Sequence, residues 1–495
     1  MKKLIYTIAM GLICSVSFAQ SDVDALRVSQ SSIGSSARSM GSAGAFGAVG
    51  ADISSAIINP AGLAQYKRGE FFVSLATLNA KNDASYLGSS EKNSNFSFNV
   101  PSFGFVNAKR KYVKRKPVTS GWTNFNFGFT LNRTNSFNRV ISYEGTNSTN
   151  SMLDYFAEKA NGLTKSQLGG SDDEFLNGFN DLEAMAWELY LIDSVGNKSY
   201  AAAIPDGGRN IHQKNNVSQR GRTNEYSFSM AGNYSNKLYI GGAIHLARTI
   251  YKEEGKFTEI DDPTNIFNNW NSYTLTSDLT TEGYGFGARL GMIFRLNDAI
   301  RLGAAFQTPT IYSLTDNYSD ELDVTYDDGS FEVYSTKDGE YSYDVTTPAK
   351  TTLSGAYIFG KKGFISADVE LVDYSTMQLS PSDVFEQANK TIGQKYNSTV
   401  NVRIGGEYVM DIFRFRAGMA NYNSPLVDAK ENNLNRQYYT LGMGIREKTW
   451  GLDLALVQER RSDVLQAYQL NGSEVPYASN KLTNNSLVIT LSTRF

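Results

Sequence analysis

The chain is poor in the residues on which most metal and redox sites depend. Of its 495 residues, one is a cysteine, Cys14, and two are histidines, His212 and His245. A single cysteine near the N-terminus excludes a disulfide framework and a thiolate metal site. Histidine-based metal sites usually need more than two imidazoles. The sequence therefore predicts no metal and no cofactor.

An excess of basic residues and long apolar runs are also missing. The chain has 47 lysines and arginines against 50 acidic residues, which leaves no electrostatic footprint for nucleic acid. A membrane-spanning helix needs about 20 consecutive apolar residues, and no run after residue 20 approaches this length. The motifs HExxH and GxSxG are absent, and no Ser/His pair is placed by a motif. We therefore expect neither a nucleic-acid-binding protein nor an enzyme.

The N-terminus has the features of a secretory signal peptide. Lys2 and Lys3 precede an apolar stretch at positions 4–16, and Ser17 and Ala19 are small residues at the sites that a signal peptidase reads. The predicted signal peptide is 1–19. Lipid attachment at Cys14 is disfavoured because Ile13 precedes it, where a small residue is needed. Removing two lysines leaves 45 basic against 50 acidic residues, so the mature net charge is −5.

The mature chain is rich in aromatic residues and alternates with a period of two. The full chain contains 28 phenylalanines and 29 tyrosines but only 10 prolines, and all but Tyr6 and Phe18 of these aromatic residues lie after residue 19. From residue 70 onward, apolar residues repeatedly alternate with small or polar ones, which places one set on lipid and the other on a lumen. The pattern predicts fourteen strands, near 70–80, 93–106, 122–133, 226–234, 238–246, 284–295, 300–306, 351–359, 364–377, 399–410, 412–421, 437–446, 449–460 and 485–495.

These features predict an all-β transmembrane protein, a 14-stranded antiparallel outer-membrane β-barrel. The even strand number is the one that a closed single-chain barrel usually requires. In the second strand the alternation changes phase at Pro101, which predicts a bulge or kink there. The last strand ends at Phe495, and a terminal phenylalanine on an alternating strand is typical of the signal that the barrel assembly machinery reads.

A stretch of small residues precedes the first strand. Positions 31–64 contain six glycines and are otherwise mostly alanine and serine. Such a segment is too small-sided to form a core of its own and too apolar for a solvated linker. We therefore expect it to lie inside the barrel as an N-terminal plug, the alternative being a mobile leader.

Two long insertions interrupt the strand pattern. Positions 138–221 contain helical periodicity, with apolar residues three or four apart, and predict an extracellular loop insertion with two amphipathic helices. Their apolar faces either pack on each other and on the barrel mouth or form a hydrophobic binding site for an incoming ligand. Positions 313–347 hold ten acidic residues and one lysine and predict an acidic extracellular hairpin that turns at 327–330. The proposed ligand residues are Met152, Phe156, Phe179, Leu182, Met185 and Leu189.

At this point the chain resembles the FadL/TodX (OmpP1) family of outer-membrane transporters for long-chain fatty acids and other hydrophobic compounds. The likeness covers most of the mature chain and rests on several weak motifs. A small-residue segment ends in Asn59-Pro60-Ala61 before the first strand, and 100–106 (VPSFGFV) resembles the second strand of the family. The segments 317–320 (NYSD) and 416–425 (RAGMANYNSP) resemble a loop and a late strand with its turn.

The resemblance implies a barrel plugged by an N-terminal hatch and a ligand exit through a kink in the third strand. Carried over, the plug is 20–66, with Asn59, Pro60 and Ala61 at its end, and Gly128 is the candidate for the kink. The barrel is then 67–495. One departure is that the helical insertion follows strand three, whereas the best-known members carry theirs after strand five. Inward-facing arginines could hold a carboxylate headgroup or pair with the plug; the candidates are Arg289, Arg301, Arg403 and Arg416.

The predicted function is passive transport of long-chain fatty acids or other hydrophobic small molecules across the outer membrane. The alternative is a secretion-associated barrel that binds and hands over cargo proteins; a polar-solute porin and a haem receptor fit less well. The expected partners are a hydrophobic ligand, lipopolysaccharide and the barrel assembly machinery. We expect the protein to act as a monomer.

Overall fold

The computed structural model describes residues 22–114, 116–204, 210–262, 269–427 and 435–495. The predicted signal peptide and the first two residues of the predicted plug, Gln20 and Ser21, lie outside the described residues. No helix in the described ranges is both long enough and apolar enough to cross a membrane.

Within these ranges, fourteen antiparallel strands form a closed barrel in which the last strand pairs with the first. This confirms the predicted strand number. The strands are β1 (Glu70–Tyr86), β2 (Ser89–Arg110), β3 (Trp122–Ser136), β4 (Ile211–Tyr234), β5 (Leu238–Ile260), β6 (Trp270–Arg295), β7 (Ile300–Gln307), β8 (Lys350–Ile358), β9 (Gly363–Asp373), β10 (Ser398–Met410), β11 (Phe413–Tyr422), β12 (Arg436–Arg446), β13 (Trp450–Leu465) and β14 (Ala478–Arg494).

Side-chain burial follows the alternation of the sequence. On β3, Phe127 is 47% exposed whereas its neighbour Asn126 is fully buried in the lumen. On β4, Phe228 is 58% exposed and Ser227 is buried. Apolar residues therefore face lipid and polar or small residues face the interior, because successive strand residues point to opposite sides of the sheet.

The two ends of the barrel differ in the length of their connections. At the end that holds the N-terminus of β1 and the C-terminus of β14, short turns join the strands, for example at 235–237, 411–412 and 447–449. At the other end the connections are long and include 137–210, 308–349 and 374–397. Because outer-membrane barrels have short periplasmic turns and long extracellular loops, the second end faces the outside of the cell.

The bulge predicted at Pro101 is confirmed. Ser74 of β1 pairs with Ser102 of β2, but Ala76 pairs with Asn99, so Val100 and Pro101 lie opposite one residue of β1. Two residues opposite one define a β-bulge, and it changes the face to which the following residues point. Proline suits this position because it has no N–H group for the ladder.

Residues 22–66 lie inside the barrel and are mostly buried. Short helices and turns build this segment, as expected where small residues leave little apolar surface of their own. Its helices are α1 (Asp22–Ser29), α2 (Ala37–Met40), α3 (Ser55–Ile58) and the 3₁₀ helix Pro60–Gln65.

The outer loops carry further secondary structure. The predicted pair of helices after β3 is instead four short helices. Gly178, with a φ of 99°, ends the third of them and so divides the second predicted helix. The predicted insertion 138–221 also contains strand residues at both of its ends. The helices are α4 (Met152–Ala160), α5 (Lys165–Leu168), α6 (Asp172–Asn177) and α7 (Leu182–Glu188), followed in the next loops by the 3₁₀ helix Tyr374–Thr376 and α8 (Glu386–Lys395).

The remaining short strands lie outside the fourteen barrel strands. The segment Ile311–Tyr326 pairs with the upper part of β6 and with Phe331–Ser335, so the hairpin predicted to turn at 327–330 is confirmed. The others are Tyr112–Val113, Lys116–Pro117, Arg139–Asn147, Ile192–Gly196, Ser199–Ala202, Gly339–Thr346 and Gln378–Ser380.

Candidate functional site

The plug is fixed to the barrel wall through Asn59. This residue precedes the 3₁₀ helix Pro60–Gln65, and its Oδ1 accepts a hydrogen bond from the N–H of Ala61 at 3.2 Å. Its Nδ2 donates to the carbonyl of Gly47 within the plug at 2.7 Å and to that of Met292 on β6 at 3.1 Å. One side chain thus caps a helix and joins the plug to the wall.

Glycines in the wall give the plug room for this contact. A Cβ at Gly291 of β6 would lie 2.0 Å from Oδ1 of Asn59, and one at Gly241 of β5 would lie 2.6 Å from the carbonyl carbon of Pro60. Both distances are below any allowed contact, so the plug backbone can seat only against residues without side chains.

Two of the four predicted headgroup arginines hold the plug or its surroundings. Arg301 donates to the carbonyl of Val49 at 2.8 Å and to Oε1 of Gln65 at 2.6 Å. Arg416 is fully buried and pairs with Glu407 at 2.7 Å, and Arg38 of the plug pairs with the same carboxylate at 3.2 Å. Their positions match the pairing alternative rather than the headgroup role.

The other two, Arg289 and Arg403, face a small cavity of about 110 Å³ beside the plug. Arg289 makes two hydrogen bonds of 2.6 Å to the carboxylate of Glu225. Arg403 lies 3.4 Å from Glu370. Both guanidinium groups are therefore neutralised by wall carboxylates. His245 lines the same cavity, and its Nε2 is 3.1 Å from the hydroxyl of Thr310.

A second cavity, of about 750 Å³, lies between the plug and the outer loops. Helix α1 forms part of its floor through Val23, Leu26 and Arg27. Burial opposes the charge of Arg27, but the carboxylate of Asp24 raises its pKa above the usual value. Its other apolar lining residues include Phe137, which directly follows β3, and, from the barrel strands, Leu78, Phe257, Leu275, Leu482 and Val488.

The hydrogen-bond ladder of the barrel wall is interrupted beside this cavity. The ladder between β2 and β3 runs from Arg110–Asn124 only as far as Ser102–Asn132. In the described part of the chain, the preceding residues of β2, 89–101, pair with β1 alone. Asn99 and Pro101 on one side of this interruption and Asn135 on the other line the cavity. We call this interruption the β2–β3 gap.

Gly128, the predicted kink, lies elsewhere. It sits within an unbroken ladder, opposite Val106 of β2 and Ser229 of β4. Above the first residues of β3, the register shifts only between Arg133 and Asn135. A Cβ at Gly128 would lie 3.3 Å from the Leu63 side chain, so this glycine leaves room for the plug rather than for a kink. The β2–β3 ladder instead ends beside the bulge at Pro101 and the register shift after Arg133.

The six residues predicted to receive a ligand are packed against other residues. Phe156, Phe179, Met185 and Leu189 are completely buried in an apolar cluster that includes Trp270, Tyr273 and Leu322 from the barrel rim and the acidic hairpin. Leu182 packs at the edge of this cluster. Of the six, Met152 alone lines the large cavity among the described residues. Their arrangement is that of a core that closes the outer end of the barrel.

Sequence reasoning missed Arg133. It lines the large cavity at the β2–β3 gap, and its Nε is buried without a hydrogen-bond partner. Arg133 is partly buried and lies near the like charge of Arg222, whereas Arg289, Arg403 and Arg416 each lie beside a carboxylate. Its position directly after the apolar alternation of β3 was the available signal.

The family described as "Outer membrane protein transport protein (OMPP1/FadL/TodX)" matches residues 223–492, which is more than half of the chain. The chain belongs to this family. As a member, it is an outer-membrane protein that transports hydrophobic compounds. Comparison with curated protein sequences found no match.

Solved structures share the fold over nearly the whole chain. A Pseudomonas aeruginosa FadL homologue is 13% identical, with a TM-score of 0.57 and coverage of 94% of this chain and 99% of that one. The P. putida toluene transporter TodX is 14% identical, with a TM-score of 0.53 and coverage of 93% and 98%. The Ralstonia pickettii toluene transporter TbuX is 16% identical, with a TM-score of 0.50 and the same coverage.

Proposed function

We propose that this protein takes up small hydrophobic molecules from outside the cell, among them long-chain fatty acids, and releases them sideways through the β2–β3 gap. The observation that carries the proposal is the large cavity that reaches the place where the β2–β3 ladder ends. A ligand in that cavity has a lateral route to the bilayer, whereas the plug blocks the direct route to the periplasm.

The driving force is the hydrophobic effect. Burying each CH2 group is worth about 0.8 kcal/mol, so an apolar wall can capture a chain of several carbons without an energy source. The polar sugars of the outer leaflet oppose passage of such a chain, and the barrel bypasses them. Transport is therefore passive and runs down the concentration gradient.

The other predicted segments also have roles in this uptake route. Residues 1–19 are removed after Ala19, residues 20–66 form the plug, and the loop residues Phe156, Phe179 and Met185 keep the outer end closed around the cavity. The protein acts as a monomer.

The lateral route is tested by closing the gap. Asn99 and Asn135 continue the β2–β3 register beyond its last pair, so Asn99→Cys with Asn135→Cys can be bridged by a short bis-maleimide. Uptake of oleate and of toluene is then measured in cells that express the bridged protein. We expect uptake to fall to the rate of cells without the protein.

Each single-cysteine variant treated with the same reagent serves as the control, and its uptake should match that of the untreated protein. Mass spectrometry verifies the bridge. Unchanged uptake by bridged protein would refute the lateral route. Where the bridge does not form, Asn135→Trp fills the gap and should slow uptake in the same way.

A further inference from the structure

A group of cations lies near the extracellular end of the barrel, four of them on its lipid-facing side and one at the β2–β3 gap. It occupies three neighbouring strands, β3, β4 and β5. On β4, the residues that face lipid are at even positions, as the exposure of Phe228 and Met230 shows, and two of the cations continue that series. We call this group the outer cation cluster; it consists of Arg133, Arg220, Arg222, Arg248 and Lys252.

The register of the strands brings these side chains together. Asn224 pairs with Arg133 on one side and with Arg248 on the other, so the two arginines are two strands apart in one row. At a strand spacing of about 4.8 Å, their backbones are about 10 Å apart. In the row two residues beyond Arg222, Arg220 pairs with Lys252. The cluster is therefore compact.

The cluster lies at the level of the lipid headgroups. Arg248 pairs with Tyr284, which is 55% exposed, and its guanidinium lies 5.7 Å from the centre of that ring. Aromatic girdles mark the two membrane–water interfaces of such barrels. Because the rows with the long loops lie beyond Tyr284, this interface is that of the outer leaflet.

The charges of the cluster are not neutralised by the protein. Throughout the described ranges, none of its five side chains forms an ion pair, whereas Arg289, Arg403 and Arg416 in the lumen each do. Two acidic side chains lie beside the cluster on the same face: Glu282, opposite Ile250, and Glu254, which follows Lys252 by two residues and pairs with Lys256. Adjacent like charges at the edge of the hydrocarbon region are unfavourable unless an anion joins them.

We propose that the outer cation cluster binds the phosphate groups of the glycolipid that forms the outer leaflet. Phosphate accepts several charge-assisted hydrogen bonds and is matched by arginine. The glycolipid fits better than a phospholipid because the cluster faces the outer leaflet and because several cations suit a headgroup with more than one phosphate. Since Arg133 also borders the β2–β3 gap, the bound lipid stands beside the lateral exit.

The test compares binding of three lipids to the purified full-length protein by native mass spectrometry. The probes are diphosphorylated lipid A, lipid A stripped of its phosphates, and phosphatidylglycerol. The variant Arg222→Gln with Arg248→Gln should bind diphosphorylated lipid A at least about tenfold more weakly, since it removes two of the five charges that attract the phosphates. Wild-type protein should prefer that probe over the other two.

The matched control is Lys361→Gln with Lys362→Gln, which removes two charges from an exposed periplasmic turn and should bind lipid A as the wild type does. Resistance of the folded band to detergent at room temperature shows that each variant is a closed barrel. Equal binding by the wild type and the cluster variant would overturn the proposal, as would equal binding of phosphate-free lipid A. Stronger binding of phosphatidylglycerol would overturn the choice of glycolipid. Should the double variant not fold, Arg220→Gln alone gives the same comparison.

Discussion

Single side chains decide how firmly the plug is held. Asn59 makes hydrogen bonds both within the plug and to β6. It fits there because Gly291 has no side chain. Arg38 of the plug is held by an ion pair instead. It shares the carboxylate of Glu407, on β10 of the wall, with Arg416. A buried pair is costly to break because the remaining charge is left without compensation.

The seat of the plug can be tested at Gly291. We expect Gly291→Ala to destabilise the protein by about 1–3 kcal/mol, the usual cost of an overpacked site, because the new Cβ meets Oδ1 of Asn59 at 2.0 Å. Ion conductance in planar bilayers should rise as the plug loosens. Gly355→Ala is the matched control, since a Cβ there meets nothing within 4 Å. If both variants behave alike, the contact with Asn59 is not what holds the plug.

At the scale of elements, the outer loops and the barrel are stabilised by different contacts. Helices α4 and α7 carry Phe156 and Met185 into one apolar cluster, together with the rim residues Trp270 and Tyr273. The barrel, in contrast, is held by a closed hydrogen-bond ladder that does not involve these helices. The loop helices can therefore loosen while the barrel persists.

This separation predicts the effect of a core substitution in the loops. Phe156→Ala should cost about 3–5 kcal/mol within the loop cluster, as for other buried phenylalanines. Limited proteolysis should then cleave within 137–210. The barrel should stay folded, as shown by a band on a gel whose mobility changes only after heating. Tyr190→Ala, at a position that is 70% exposed, is the control. Lost oleate uptake without faster proteolysis would instead support Phe156 as a ligand-binding residue.

For the whole molecule, closure of the barrel depends on β1 meeting β14. The two strands pair over their full shared length, from Glu70–Arg494 to Ser85–Ser479. Phe495 follows this ladder; it is 72% exposed, and its N–H donates to the carbonyl of Gly69 at 3.0 Å. Because so little of its side chain is buried, the folded barrel gains little stability from it.

We therefore expect Phe495→Ala to affect assembly rather than stability. The amount of folded protein in the outer membrane should fall several-fold in cells, while refolding of the purified protein into detergent micelles should match that of the wild type. Quantifying the heat-modifiable band in both settings makes the comparison. A loss confined to refolding in vitro would show that Phe495 stabilises the barrel and is not an assembly signal.

Much of this fold is encoded locally. An alternation such as that of Phe125, Phe127 and Phe129 needs only neighbouring residues to define a strand with one face on lipid, and the phase change at Pro101 is equally local. The small residues before β1 likewise predict an enclosed segment. These patterns were sufficient for the strand number, the plug and the bulge.

Other features depend on residues that are far apart in the chain. The sequence by itself determined a plugged barrel of fourteen strands, because strand periodicity and side-chain size act over short distances. Only the tertiary structure decided that the ladder ends near Pro101 rather than at Gly128 and that the loop apolar residues form a closed core. It also decided that Arg289, Arg403 and Arg416 have carboxylate partners while Arg133, among the described residues, has none. Each of these outcomes is set by which distant strand or loop supplies the neighbouring atom, and no local pattern records that choice.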